Sequence, residues 1–218
     1  MSDVFNRGIT VTEIAPFERA IEFSHETTAA FVGRSLRGPL NTPVLVENFA
    51  AFTRRFGGIW RRSALGPAVE QFFDHGGKRL YVVRVANNAR GAMVCLPATG
   101  GALVLRALEP GSTENIRAAI DYDGIPDADE ERFNLVVQRV APDTGLVADL
   151  EMYLRLSCSV GARNFVADVL LESSLIRVQD PLPAGRPTRT SRFGTRFEAS
   201  YAGHAQRGSD GQALSDYD

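Results

Sequence analysis

Residues 79–86, Arg79-Leu80-Tyr81-Val82-Val83-Arg84-Val85-Ala86, form a β-branched run that is apolar on both faces. Such a run suits a central strand buried between layers, because a half-exposed strand would alternate apolar with polar residues. Just upstream, Gly76-Gly77 stops a helix predicted over 64–75, with Leu65, Val69, Phe72 and Phe73 inward, Pro67 tolerated in the first turn and Ser63 as its cap. Further back, Phe49, Phe52 and Phe56 fall at i, i+3 and i+7, which marks one face of another helix, ended by Gly57-Gly58. Pro43-Val44-Leu45-Val46 predicts a short strand. Thr27–Arg34 predicts a strand of small residues, closed by Gly38-Pro39 and Asn41-Thr42-Pro43. The predicted order over 27–86 is β, β, α, α, β, an α/β unit whose last strand the helices cover.

After residue 87 the texture changes. Asn87-Asn88-Ala89-Arg90-Gly91 reads as a turn, and short apolar bursts follow at Ala92–Leu96, Ala102–Leu108, Ile116–Tyr122 and Phe133–Val140. Each is bounded by Gly, Pro or Asp, the mark of a β-rich unit, and Ala148–Ser157 extends it. Ala162–Leu170 has helical spacing, with Phe165, Val166, Val169 and Leu170 inward. Beyond Asp180 the Pro-, Gly- and Arg-rich stretch Pro181–Arg196 reads as a loop.

Residues 1–26 are poor in apolar side chains and carry five acids (Asp3, Glu13, Glu18, Glu22, Glu26) against two bases (Arg7, Arg19). Within them Gly8–Ile14 alternates as a strand does, with Ile9, Val11 and Glu13 on one face and Thr10, Thr12 and Ile14 on the other. This segment reads either as an extended arm, reaching on the order of 80 Å at about 3.3 Å per residue, or as an edge strand folded back on its own sheet.

The chain holds 24 basic and 26 acidic residues, so a net charge of −2 supplies no global field toward nucleic acid or an anionic membrane. The apolar runs are far shorter than the roughly 20 residues that cross a bilayer. The N-terminus lacks the basic and apolar regions of a secretory signal, so the expectation is a protein that stays in a reducing cytoplasm, with Cys95 and Cys158 as buried free thiols.

Catalytic constellations are thin. His25, His75 and His204 stand in no metal-binding or nucleophile-activating pattern, and His75 suits the C-terminal end of a helix dipole. The acidic run Asp121–Glu131 misses calcium-loop spacing, since its sixth and twelfth positions are Pro126 and Arg132, and it reads as a solvated hairpin loop. The glycine pairs at 57–58, 76–77 and 100–101 fit helix termination rather than a phosphate loop. Arg186, Arg189, Arg192 and Arg196 form a basic track broken by Pro187 and Gly194, which reads as a protein interface rather than a nucleic-acid one.

These residues resemble a known family. Thr28–Arg34 with Arg37–Val46, then Phe49-Ala50-Ala51-Phe52, Phe56-Gly57-Gly58, Ala68–Phe73 and Gly76–Val85, look like the opening of the contractile tail sheath fold. Glu109-Pro110-Gly111-Ser112 with Asn115 is similar to a sheath Pro-Gly turn, Phe133–Val137 to its central strand, and Val169–Val178 to its helix-to-strand passage. Gly208-Ser209-Asp210-Gly211 resembles the place where the family's chain re-enters its core. The Pro-Gly-Val-Tyr strand that usually opens the family is replaced here by Arg7–Ile14.

The resemblance implies a mixed α+β and α/β fold. Residues 1–26 would be an arm, 27–86 part of the sheath core, 87–200 an inserted β-rich projecting unit, and 201–218 a return toward the core. Family members continue well beyond the motif that Gly208-Ser209-Asp210-Gly211 resembles into a C-terminal half, which the resemblance implies is absent from this chain. It implies a structural subunit, with no catalytic residue, cofactor or metal, that polymerises around an inner tube and contracts from a metastable state. Its inter-subunit strand would use Ile9, Val11, Glu13 and Ile14. Expected partners are other sheath subunits, the inner tube protein, and baseplate and terminator proteins, without nucleic acid or membrane insertion. The expected place is a virion tail, or a cytoplasmic injection particle, assembled in a bacterial cytoplasm. The alternatives are a baseplate or tail-cap protein with a sheath-like core, and a soluble α/β enzyme or ligand-binding domain.

Overall fold

A computed structural model describes residues 28–190, 201–202 and 205–214. Ile9, Val11, Glu13 and Ile14 lie outside the described residues, as do Arg192 and Arg196. The fold is mixed and mostly β, with three small sheets among the described residues.

The first sheet is built from β1 (Thr28–Gly33), β2 (Pro43–Val46) and β3 (Arg79–Arg84), in the order β1-β3-β2. β1 runs parallel to β3, with Phe31 opposite Val82, and β2 runs antiparallel, with Leu45 opposite Tyr81. Between β2 and β3 lie helices α1 (Phe49–Phe56) and α2 (Leu65–Asp74). Asn48 starts α1 by accepting the Ala51 N–H at 2.8 Å, and Gly57 ends it in the left-handed region at φ 91°. At α2, Ser63 stands one residue before the cap position. Its hydroxyl accepts the Leu65 N–H at 3.1 Å and donates to the Arg34 carbonyl at 2.6 Å, tying the helix start to the end of β1. The three phenylalanines of α1 stack at 5.9 and 5.4 Å, and Phe52 and Phe56 are fully buried with Val46, Leu65, Val69, Leu80 and Val82.

The structure corrects one expectation for β3. It is central in its sheet, yet both helices sit on the face that carries Leu80 and Val82, since both belong to the one crossover from β2 to β3. The other face is open: Val32 is 66% exposed and Leu45 39%, beside half-buried Tyr81 and Val83.

The β-rich part divides into two antiparallel sheets. One joins β4 (Met93–Ala98), β5 (Gly101–Ala107) and β9 (Ile176–Gln179); the other joins β6 (Asn115–Asp121), β7 (Arg132–Val140) and β8 (Val147–Ser157). They share one apolar core, in which Val94, Leu96, Leu103 and Leu105 meet Ile116, Ile120, Leu135, Val137 and Leu156. Cys158 is buried as expected, but Cys95 is exposed because Val94 and Leu96 take the inward positions of β4. The helix expected over 162–170 shrinks to α3 (Val166–Val169) and a 3-10 turn, Leu170–Glu172. Its expected first turn is instead drawn into pairing with the end of β8, where Ser157 N–H donates to the Asn164 carbonyl at 2.9 Å and Ser157 bridges Phe165.

Candidate assembly interface

Three of the turn motifs singled out in the sequence meet around one side chain. Arg84, the last residue of β3, is 1% exposed. Its Nη1 donates to the carbonyls of Gly38 and Pro110, each at 2.7 Å, and its Nη2 donates to the Leu36 carbonyl at 3.4 Å. Burial pushes the guanidinium pKa below its ordinary value, while the charges of Glu109, Asp210 and Glu114 pull the other way. Glu109, also buried, accepts the Gly38 N–H at 2.7 Å and pairs with Arg55 at 2.7 Å. Asp210 accepts both the N–H (2.7 Å) and the hydroxyl (2.8 Å) of Ser112.

Backbone packs so closely here that side chains are excluded. A Cβ on Gly208 would stand 2.0 Å from the Gly111 carbonyl oxygen, and one on Gly111 would stand 2.7 Å from that of Leu36. The Arg37-Gly38-Pro39, Glu109-Pro110-Gly111-Ser112 and Gly208-Ser209-Asp210-Gly211 stretches therefore form one junction between the first sheet, the β-rich part and the returning chain. Residues 206–212 bridge back to 87–93, through Gln212 to Asn87, Ser209 to Arg90 and Gln206 to Met93. The spacing of these motifs carries no sign that they converge, and Arg84 itself reads in the sequence as one of two arginines in a strand.

No protein-family model and no curated protein matches the chain. Among solved structures, a sheath tail protein of Listeria innocua matches 88% of this chain with a TM-score of 0.50 and 13% identity. The fold resembles that of a tail sheath protein. A second sheath tail protein, from Desulfitobacterium hafniense, is matched over 95% of this chain with a TM-score of 0.48 and 14% identity. The chain spans 36% of the length of the first structure and 40% of the second. At such identities the likeness is one of fold.

The first sheet leaves one face uncovered by helices. Among the described residues its outer strands β1 and β2 are both edges, and its open face is apolar. The charged features read from the sequence are engaged within the chain instead. Arg186 lies 3.9 Å from the centre of the Tyr122 ring and donates to the Asp129 carbonyl, and Arg189 pairs with Asp123, so these members of the basic track clamp the acidic hairpin loop. Asp129 caps that loop by accepting the N–H groups of Glu131 and Arg132. His75 closes α2, its Nδ1 lying 2.7 Å from the Gln71 carbonyl.

The other perturbed groups are structural in their surroundings. Burial alone pushes the Cys158 thiol up to about 11, which keeps it protonated and unreactive at neutral pH. Burial opposes ionisation of Glu151, yet hydrogen bonds from Ser173, Ser174 and Tyr153 outweigh it and hold the carboxyl below the usual range. Those bonds are 2.6 Å from the Ser173 hydroxyl, 2.6 Å from the Ser174 hydroxyl and 2.8 Å from Tyr153, and the two serine bonds fasten the end of the 3-10 turn to β8.

Proposed function

We propose that this chain is a structural, self-assembling subunit of the contractile tail sheath type, not an enzyme. One observation carries the reading: the first sheet has one face packed on helices and the other left apolar, with Val32 and Leu45 exposed between two strands that are edges among the described residues. A face of this kind suits a surface that another chain covers in an assembly. The likeness of fold to a sheath tail protein supports the same reading.

In this account residues 1–26 are an arm, and Ile9, Val11, Glu13 and Ile14 add a strand to a sheet of a neighbouring subunit. Backbone hydrogen bonds supply cohesion and alternate side chains set the register. Residues 27–86 are part of the sheath core, 87–200 form the projecting unit and 201–218 return to the core. Contraction draws on a metastable packing of subunits around an inner tube, not on nucleotide hydrolysis. Baseplate and terminator proteins bound the tail, which forms in a bacterial cytoplasm. Deleting residues 1–14 tests the arm: the product should be a folded monomer, shown by an unchanged circular dichroism spectrum, that no longer polymerises. A truncated chain that assembles like the full one sinks the arm reading.

A further inference from the structure

We propose that Arg106 and Arg177 form a binding site for a carboxylate carried on a short aliphatic group, in the cleft between Leu40 and the end of β5. The two arginines stand directly opposite each other on β5 and β9, and both point away from the core, since Leu105, Ala107 and Ile176 take the inward positions. Like charges placed opposite on neighbouring strands repel. Among the described residues no carboxylate pairs with either, because the ion pairs use Arg55, Arg132, Arg139 and Arg189. On its other side, in β4, Arg106 faces Met93.

Both side chains are held in place. Arg177 closes the 3-10 turn: its Nη1 donates to the carbonyls of Leu170, Ser173 and Ile176 at 3.3, 2.5 and 2.6 Å, which leaves its Nε and Nη2 groups without a bond among the described residues. Arg106 lies across buried Gly91, where a Cβ would stand 3.3 Å from its Nε and 3.5 Å from its Cγ, so only glycine lets the arginine rest there without displacement. Leu40, Leu108 and Pro110 complete with the two arginines a cleft of about 380 Å³, and no acidic side chain lines it.

This combination selects the ligand. A guanidinium presents its N–H groups as a planar fork that matches the two oxygens of a carboxylate, and a fork already fixed by its surroundings loses little freedom on binding. Two such forks beside an apolar wall admit an anionic head with a small aliphatic body. A polyanion such as nucleic acid needs a basic track that continues beyond the pair, and Leu40, Leu108 and Pro110 supply none. Arrival of the carboxylate also relieves the repulsion between the arginines, so occupancy and stability are coupled.

Saturation-transfer difference NMR on the full-length chain tests the site, with N-acetyl-leucine as the probe and its uncharged amide as the control, at constant ionic strength. The acid should bind with a Kd of about 1–10 mM, the amide should not, and Arg106→Gln should weaken the acid about tenfold or more. Arg106→Glu supplies the missing carboxylate from within the chain: it should abolish binding and unfold about 1–3 °C above Arg106→Gln. Sedimentation then separates the sources of the carboxylate, both of which uphold the site: self-association lost in Arg106→Gln assigns it to a second copy, and self-association unchanged assigns it to another molecule. Equal binding of acid and amide, equal binding by wild type and Arg106→Gln, displacement of the acid by inorganic phosphate well below the probe's own concentration, or Arg106→Glu unfolding below Arg106→Gln would each overturn the proposal.

Discussion

Replacing Arg84 with methionine removes the buried side chain that ties the Leu36–Gly38 turn to Pro110 while keeping most of its volume. The wild-type guanidinium makes two short bonds, to the Gly38 and Pro110 carbonyls, and a longer one to Leu36. Hydrogen bonds from a charged donor contribute about 1.5–3 kcal/mol each. The two short bonds therefore set a gross loss of roughly 3–6 kcal/mol. Against this stands the relief of burying a charge, whose cost is visible in the lowered pKa of the guanidinium. Glu109 and Glu114 keep Arg55 and Arg139 as partners, so neither carboxylate is stranded. The net destabilisation should be about 3 kcal/mol, a large share of the roughly 5–15 kcal/mol that holds a native domain together. Urea unfolding followed by circular dichroism at neutral pH measures it directly, and the thermal midpoint should fall by about 6–12 °C. Arg84→Lys should recover less than half, since an ammonium cannot reach the carbonyls as a fork does. A loss under about 1 kcal/mol for the methionine variant would refute the junction as the tie between these parts of the fold.

Three further outcomes follow from the same geometry. Gly208→Ala should cost about 1–3 kcal/mol because its Cβ meets the Gly111 carbonyl oxygen, whereas Gly76→Ala, with nothing within 4 Å, should show only the strain of its positive φ; comparing their unfolding midpoints separates the two causes. The depressed pKa of Glu151 means that its contribution is complete above the ordinary glutamate value of 4.5 and is lost as pH falls through the lower folded value. Wild type and Glu151→Gln should therefore differ most above pH 4.5 and converge in more acidic solution, as read from pH-dependent urea midpoints. Val32→Lys, at a position 66% exposed, should change the stability of the monomer by less than about 0.5 kcal/mol yet weaken self-association measured by sedimentation.

The first sheet was legible because its signals are local. The Phe49, Phe52 and Phe56 spacing, Gly57, and the β-branched run at 79–86 each report on their own neighbourhood, and every predicted strand and helix of that unit is present. What escaped is non-local. Whether helices cover one face of β3 or both depends on the path of the crossover, so an apolar Tyr81 and Val83 reads as buried while the structure leaves that face open. Likewise the apolar bursts after residue 92 announce strands without saying which pair, and β9 joins β5 across some seventy residues. The convergence on Arg84 was hidden for the same reason. Asn164 and Phe165, helical by spacing, pair with β8 because a strand end competes better for their backbone than one more helical turn. Leu150, Met152 and Leu154 show the reverse case: they read as ordinary strand alternation, and only the sheet order reveals that β8 is an edge among the described residues, with these side chains exposed.

Self-association decides the central claim. Electron microscopy of the purified full-length chain, beside the chain lacking residues 1–14, should show rings or tubes in the first case and single folded particles in the second. A full-length protein that stays a monodisperse monomer at tens of micromolar, with the same particles as the truncated chain, would contradict the account.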